Sequence, residues 1–220
     1  IRESELAIVG LPVYAGRLPN LLLNYLTTWQ SNGAWAVPVV VYGNRSYGNA
    51  LVELYDILRY RGFHPIAAAA FVGQHSFTTR LATGRPDRED LEKAEQFSAE
   101  IVRRILQPGE FTGIKIPGQG APDYGGYYKP KGRDEEVVNF LKAKPVTTDA
   151  CIDCRRCAKV CPMGAIRLDH PSEVSGICIK CNACVKQCPV HAKQLTDEAY
   201  LSHVGFLENR YTSRARIELF

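Results

Sequence analysis

The sequence contains no long apolar run, and it has no cysteine before residue 151. Its longest apolar stretch, Ala34 to Tyr42, is interrupted by Pro38 and falls short of the roughly 20 residues that a membrane-spanning helix needs. We therefore predict no membrane span and no targeting segment.

The chain also lacks a strong excess of either charge. Residues 1 to 145 carry 17 basic and 15 acidic side chains, and residues 146 to 220 carry 10 and 8. Neither part has the basic surplus of a nucleic-acid-binding domain, so we predict no nucleic-acid partner. A length of 220 residues, 45% of them hydrophobic, allows one ordinary domain and a second small one.

All of the cysteines lie in two copies of one short pattern, in which three cysteines at steps of three are followed by a Cys-Pro. The copies read Cys151-x2-Cys154-x2-Cys157-x3-Cys161-Pro162 and Cys178-x2-Cys181-x2-Cys184-x3-Cys188-Pro189. Each cysteine of the second copy follows its counterpart by 27 positions, and Ala165 and Ala192 keep the same offset. The pattern indicates an internal duplication.

Thiolates at this spacing suit cubane iron-sulfur clusters. Three of them can surround one cluster, whereas the cysteine before the proline turns away from its own run and ligates the other cluster. We therefore predict two [4Fe-4S] clusters with crossed ligation. The first would be held by Cys151, Cys154, Cys157 and Cys188, and the second by Cys178, Cys181, Cys184 and Cys161.

Three other interpretations of the cysteines remain open. Zinc sites use Cys-x2-Cys pairs, but they need neither a third cysteine at the same step nor a Cys-Pro in both copies. A disulfide scaffold explains an even count, but the crowded thiols suit metal better than pairing. A cluster pair with a purely structural role is the third alternative.

Residues 146 to 198 resemble the bacterial two-cluster ferredoxins, and this resemblance implies an α+β fold and electron transfer. Thiolates that must stay reduced to hold iron favour a cytoplasmic location. Five basic residues lie among the ligands: Arg155, Arg156, Lys159, Lys180 and Lys186. They would raise the cluster potentials, dock an acidic redox partner, or form only a solvated face.

The first hundred residues alternate between strand and helix patterns. We predict strands at 6–10, 35–42 and 65–72, and helices at 20–29, 51–61 and from Asp87, which is the expected N-cap, to Pro108. This order predicts a parallel sheet with helices on both faces. Its carboxyl-end loops, where ligands bind in such sheets, are residues 12–18, 43–49 and 73–79.

The first two of these loops resemble the flavin-ring loops of flavodoxins. They read Gly-Leu-Pro-Val-Tyr-Ala-Gly-Arg-Leu-Pro and Tyr-Gly-Asn-Arg-x-Tyr-Gly, and the resemblance covers residues 5 to 107. It implies a flavodoxin-like domain joined to a ferredoxin domain, as in fusion proteins of anaerobic bacteria and archaea. The implied FMN contacts are Pro12, Val13, Tyr14, Ala15, Gly16, Arg17, Asn44, Arg45, Tyr47 and Gly48.

The flavodoxin phosphate loop has no counterpart in this sequence. The resemblance therefore implies a partial, N-terminally truncated α/β flavodoxin-like sheet, in which Leu6 to Val9 is an exposed hydrophobic edge, and it leaves tight FMN binding unsupported. His75-Ser76 follows the third strand at the ligand end of the sheet, but no acidic partner accompanies it. We assign no catalytic residue.

The remaining segments connect or complete these domains. Residues 108–145 form a linker rich in glycine and proline, with a short helix predicted over Asp134 to Lys144. Residues 199–220 are too apolar to be disordered, and we expect them to pack back on the rest of the chain.

The sequence thus predicts an electron-transfer protein that relays electrons between two clusters and an FMN site or redox partner proteins. Two alternatives stay open. One is a flavin-dependent reductase of a small molecule that the clusters supply, and the other is a cluster-only carrier whose flavodoxin-like part is an empty docking module.

Overall fold

The computed structural model of this chain describes residues 1–107, 113–121 and 123–220. It divides into two compact units. The first consists of Ile1–His75, Leu81–Tyr128 and Ser213–Phe220, and the second of Ser76–Arg80 and Lys129–Thr212. The part of the predicted linker at 108–112 and at 122, including the expected helix end at Pro108, lies outside the described residues.

The first unit is built from a mixed sheet and three helices. Its elements are β1 Leu6–Pro12, α1 Asn20–Leu26, β2 Trp35–Tyr42, α2 Ala50–Tyr60, β3 His64–Pro65, β4 Ala69–Val72, α3 Arg88–Leu106 and β7 Glu218–Leu219. The strand order is β1-β2-β4-β7, with β3 also paired to β2. The pairs among β1, β2, β3 and β4 are parallel, and β7 is antiparallel to β4. The predicted α/β class is confirmed, and the structure splits the third predicted strand into β3 and β4.

Strand β2 is buried on both faces, as its continuous apolar run predicts. On one face Ala36 and Val40 belong to the core that includes Leu51 and Leu54 of α2. On the other face Val37 packs in the core that includes Phe97 of α3. The sheet is therefore covered by α2 on one side and by α3 on the other.

Strand β1 forms an edge of this sheet, and within the described residues it pairs only with β2. Ala7 and Val9 are buried, whereas Ile8 between them is 63% exposed. The predicted hydrophobic edge is thus exposed on one of its two faces.

Helix α3 begins where the sequence predicts, but its inner stripe differs. Asp87 caps the helix by accepting a hydrogen bond from the Asp90 amide, and the Asp90 side chain completes a capping box. Asp90 is also buried in an ion pair with Arg85, with a shortest N···O distance of 2.5 Å. The helical spacing of Leu91, Ala94, Ile101 and Ile105 predicts that these residues form the inner stripe. Asp90 takes the inner position of the first turn instead, and Leu91 is exposed, so the prediction for Leu91 was wrong.

The second unit contains short elements only, apart from one helix. They are β5 Val146–Thr147, α4 Arg156–Lys159, α5 Ala183–Lys186, β6 Lys193–Gln194 and α6 Glu198–Arg210. Strands β5 and β6 pair antiparallel. A core cluster around Phe140, Leu195 and Tyr200 includes Phe77, which belongs to the short segment Ser76–Arg80.

The short helix predicted over Asp134–Lys144 is not formed. Glu135 has a positive φ of 65°, the Gly132 amide donates to the Glu136 carbonyl, and Lys131 bridges to Val137 in antiparallel fashion. The chain therefore reverses direction where the helix was expected. Val137 and Leu141, which the predicted helix would have had available for packing, are exposed.

The tail predicted to pack back divides between the units. Helix α6 lies in the second unit, where Tyr200, Phe206 and Leu207 are buried. Residues 213–220 lie in the first unit, where β7 pairs with β4.

Two glycines with positive φ provide a matched test of this fold. Gly62, at φ +83°, ends α2, and a Cβ there would overlap the carbonyl oxygen of Ser31, whereas Gly84, at φ +73°, has open space around it. We expect Gly84→Ala to lower the free energy of unfolding by about 1 kcal/mol, and Gly62→Ala by about 3 kcal/mol because a backbone clash adds to the strain. Denaturant unfolding followed by circular dichroism measures both, and equal losses would contradict the described packing of α2.

Candidate iron-sulfur centre and sheet rim

The duplication in the sequence is repeated in the backbone of the second unit. Asp153 and Arg155 have left-handed φ values of 53° and 60°, and their counterparts Lys180 and Asn182 have 56° and 58°. One helical turn follows in each copy, as α4 and α5. The two cysteine runs therefore have the same loop conformation.

Two cavities lie beside these loops, and each is lined by four cysteines. One cavity is lined by Cys151, Cys154, Cys157 and Cys188. The other is lined by Cys161, Cys178, Cys181 and Cys184. In both cases three sulfurs come from one run and the fourth from the other run. We call these the first and the second cavity.

The fourth cysteine of each run is held by the backbone. The amide of Ala165 donates to Cys161 Sγ at 3.3 Å, and the amide of Ala192 donates to Cys188 Sγ at 3.2 Å. Both alanines are 1% exposed, so these hydrogen bonds are shielded from water. Amide donors of this kind stabilise negative charge on sulfur.

The thiols differ in their electrostatic surroundings. Burial raises the pKa of Cys157, and it raises the pKa of Cys184 to about 11, with neighbouring thiols adding to the rise. Burial acts in the same direction at Cys188, but the backbone amides of Lys193, Val190 and Ala192 outweigh it and lower the pKa. Without metal, the two buried thiols would thus remain protonated at neutral pH, and a bound metal ion would displace these protons.

The two cavities are not equally exposed. Cys151 and Cys154 of the first cavity are exposed, whereas Cys178 and Cys181 of the second are half-buried. Asn182, beside the second cavity, donates to the hydroxyl of buried Tyr200 at 2.9 Å. Tyr200 of α6 therefore supports the second cysteine run. The first cysteine run is open to water at Cys151 and Cys154.

The five basic residues predicted among the ligands do not act alike. Lys180 is half-buried and donates to the carbonyls of Leu141 and Cys178. Lys186 is exposed, and its Nζ donates to the carbonyl of Thr78 at 3.4 Å. The other three, Arg155, Arg156 and Lys159, are exposed around the first run.

The second group of predicted site residues lies in the first unit, at the carboxyl ends of β1 and β2. Residues 12–17 and 44–48 meet there, and the amide of Asn49 donates to the Gly16 carbonyl at 2.9 Å. A Cβ on Gly48 would lie 2.5 Å from the same carbonyl oxygen. The structure thus brings the two predicted loops together, but in direct contact with each other at Gly16 and Gly48.

The two arginines of these loops contact other residues of the first unit. Arg17 forms a two-pronged ion pair with buried Glu53 and lies over the rings of Tyr124 and Tyr127. Arg45 lies over the ring of Tyr128 at 3.9 Å. Asn44 and Tyr47 contact residues 213–218.

Residues 213–218 contact two more of the predicted flavin-binding residues, Asn44 and Tyr47. The Asn44 side chain donates to the Ser213 carbonyl at 2.9 Å and accepts from the Ala215 amide at 3.0 Å. The Tyr47 hydroxyl donates to Glu218 at 2.7 Å, and burial together with this carboxylate raises the pKa of Tyr47.

This rim does not fit FMN as it is arranged. A flavin ring between the two loops would need about 7 Å, two carbon contact distances, where Gly16 and Gly48 now touch. The polar groups that would recognise the ring already have partners in the chain. We therefore derive no chemistry from a flavin at this rim.

The candidate pair His75-Ser76 is divided between the units, since His75 belongs to the first and Ser76 to the second. His75 packs closely against Gly43, because a Cβ at Gly43 would lie 2.6 Å from its ring.

Comparison with known protein families identifies the cysteine region. Residues 150–192 match the 4Fe-4S dicluster domain, and no curated protein sequence matches the chain. This segment is therefore a ferredoxin-like iron-sulfur domain that binds 4Fe-4S clusters. Among the described residues, no three His, Cys, Asp or Glu side chains are arranged to hold a single metal ion, and no helix is long and apolar enough to cross a membrane.

Sequence analysis missed one residue of this domain, Lys193. It is the counterpart of Ile166 at the offset of 27 positions, it is 2% exposed, and it lines the first cavity. A position-by-position comparison of the two copies would have found it, because a lysine there replaces a buried isoleucine.

Proposed function

We propose that this chain is an electron carrier that holds two [4Fe-4S] clusters with crossed ligation. One cluster is bound in the first cavity by Cys151, Cys154, Cys157 and Cys188, and the other in the second cavity by Cys161, Cys178, Cys181 and Cys184. The observation that carries the proposal is the lining of the cavities, in which each set of four sulfurs draws one member from the other run.

The chemistry of the donors supports this ligation. All of the cysteines are free of disulfides, so all are available as thiolate ligands. The αL residues before α4 and α5 give each loop the tight curvature that directs three sulfurs inward. The amides of Ala165 and Ala192 then donate to the fourth sulfur of each run, which favours the reduced, more negative state of a bound cluster.

Such a carrier passes one electron at a time between other proteins. When bound, each cluster supplies a site that accepts and releases a single electron. The protein holds the clusters, limits their contact with water and sets their potentials. The exposed residues Arg155, Arg156 and Lys159 near the first run form a basic face that suits an acidic redox partner.

The relay through FMN that the sequence predicts is the second candidate, and the flavin-dependent reductase is a variant of it. Both need the rim loops to separate and to release residues 124–128 and 213–218. The contacts of Arg17, Arg45 and Tyr47 within the chain favour the cluster-only carrier instead.

A redox titration of the reconstituted chain tests the carrier. We expect anaerobic reconstitution with iron and sulfide to give one-electron reduction steps for two clusters, within the range of about −700 to +450 mV known for such centres. Electron paramagnetic resonance at each applied potential measures them. A chain that retains iron but shows no reduction step in this range would refute an electron-carrying role.

Added FMN distinguishes the second candidate in the same preparation. We expect the fluorescence of micromolar FMN to remain unquenched when the chain is titrated into it, because the rim has no room for the ring. Bovine serum albumin at equal concentration is the control for non-specific quenching. Stoichiometric quenching by this chain alone would favour the flavin relay.

Two double variants test the crossed ligation. We expect Cys161→Ala with Cys181→Ala to damage one cluster only and to leave about four iron atoms in an intact cluster. The matched control, Cys161→Ala with Cys154→Ala, damages both clusters. Iron content and the electron paramagnetic resonance signal of the reduced intact cluster measure the difference. If instead Cys161→Ala with Cys154→Ala kept one cluster and Cys161→Ala with Cys181→Ala kept none, each run would bind its own cluster.

A further inference from the structure

Among the positions that are buried in both copies of the cysteine pattern, one differs between the copies. Ile166 and Lys193 are counterparts, each directly after the buried alanine that donates to a fourth cysteine. Ile166 is 5% exposed and lines the second cavity. Lys193 is 2% exposed and lines the first cavity. The same place beside each cavity is thus apolar in one case and cationic in the other.

The ammonium group of Lys193 has no partner within the described residues. Its Nζ is buried without a hydrogen bond, and no carboxylate forms an ion pair with it there. Its backbone is fixed, since Lys193 pairs with Thr147 in the small sheet of β5 and β6. A buried ammonium without a counter-charge costs several kilocalories per mole in principle, so its retention calls for an anion nearby.

The four cysteines that line the first cavity together with Lys193 can supply this negative charge when they are deprotonated. The charge of Lys193 acts on Cys157 and Cys188 of the first cavity and on Cys184 of the second. Lys180, the cation that lines the second cavity, already donates to two carbonyl groups. Lys193 is therefore the buried cation available to an anionic cluster.

We propose that the Lys193 ammonium is a fixed counter-charge for the first cavity, which makes the cluster bound there easier to reduce than the one in the second cavity. This inference rests on the proposed two-cluster carrier. Reduction adds one electron from an external one-electron donor and breaks no bond. A nearby positive charge stabilises the added negative charge, so electrons settle first at the cluster next to Lys193.

The experiment compares neutral and charged replacements of Lys193 in the full, reconstituted chain. Lys193→Met and Lys193→Gln remove the charge and keep most of the side-chain volume, whereas Lys193→Arg keeps the charge. Lys159→Met is the control, because it removes an exposed charge near the same cysteine run. Cys154→Ser replaces a ligand in the first cavity, so the electron paramagnetic resonance signal that it alters belongs to the cluster bound there.

Redox titration followed by electron paramagnetic resonance is the readout. We expect the neutral variants to lower the reduced-to-oxidised ratio of the first-cavity cluster about tenfold at a given potential, a shift of 59 mV for one electron. The second-cavity cluster should change less, and Lys193→Arg and Lys159→Met should change either ratio less than twofold. Neutral variants that bind both clusters with unchanged ratios would overturn the inference.

Variants that fail to bind clusters also test the counter-charge role of Lys193. Retention of iron by Lys193→Arg but by neither neutral variant would support the counter-charge, because only charge separates them. Loss of iron from all three variants would overturn it, since shape and not charge would then explain the lysine. Absence of clusters from the unmodified chain would instead refute the proposed function itself.

Discussion

The convergence of four sulfurs on each cavity is the constraint on which the second unit depends. Between the two cysteine runs, its buried apolar cluster consists of Cys157, Ile166 and Cys184, with a few half-buried neighbours. A core of this size contributes little to folding, so bound clusters, as proposed, would supply much of the stability of this cysteine region. Crossed ligation would make that energy cooperative, because each cluster would tie one run to the other.

The first unit is stabilised by ordinary packing. Its sheet is covered on both faces, and its rim is closed by the segment from Tyr124 to Tyr128 and by residues 213–218. The contacts of Arg17 with Glu53 and of Tyr47 with Glu218 satisfy the polar groups of the rim loops. The rim loops of the first unit are thus held by contacts within that unit, whereas the cavities lined by cysteines lie in the second unit.

The sequence predicts local features well because their causes are local. The cysteine spacing reflects the strict geometry of a metal cluster, the apolar run of β2 reflects burial on two faces, and Asp87 reflects the demands of a helix start. The ligand pairing itself stays a prediction until the clusters are measured. The sequence did not single out Lys193, because its position beside a cavity is recognised only from its burial and from comparison with its counterpart Ile166.

Other features depend on contacts that no short pattern records. The sequence predicts that the rim loops bind a flavin, but these loops are held by residues more than 70 positions away, as in the contact of Asn49 with Tyr124. Likewise, Val137 and Leu141 have the four-residue spacing of one helix face, but the chain reverses direction at Glu135, which has a positive φ. Phe77 joins the core around Tyr200, although the chain on either side of its short segment Ser76–Arg80 belongs to the first unit.

The metal content of the anaerobically purified chain is the most direct test of the account. Chemical analysis of iron and acid-labile sulfide should give about eight of each per chain, with no zinc and with every cysteine free after the clusters are removed. Zinc in place of iron, disulfide bonds between the runs, or iron without sulfide would contradict the central claim that these sulfurs surround two cubane clusters.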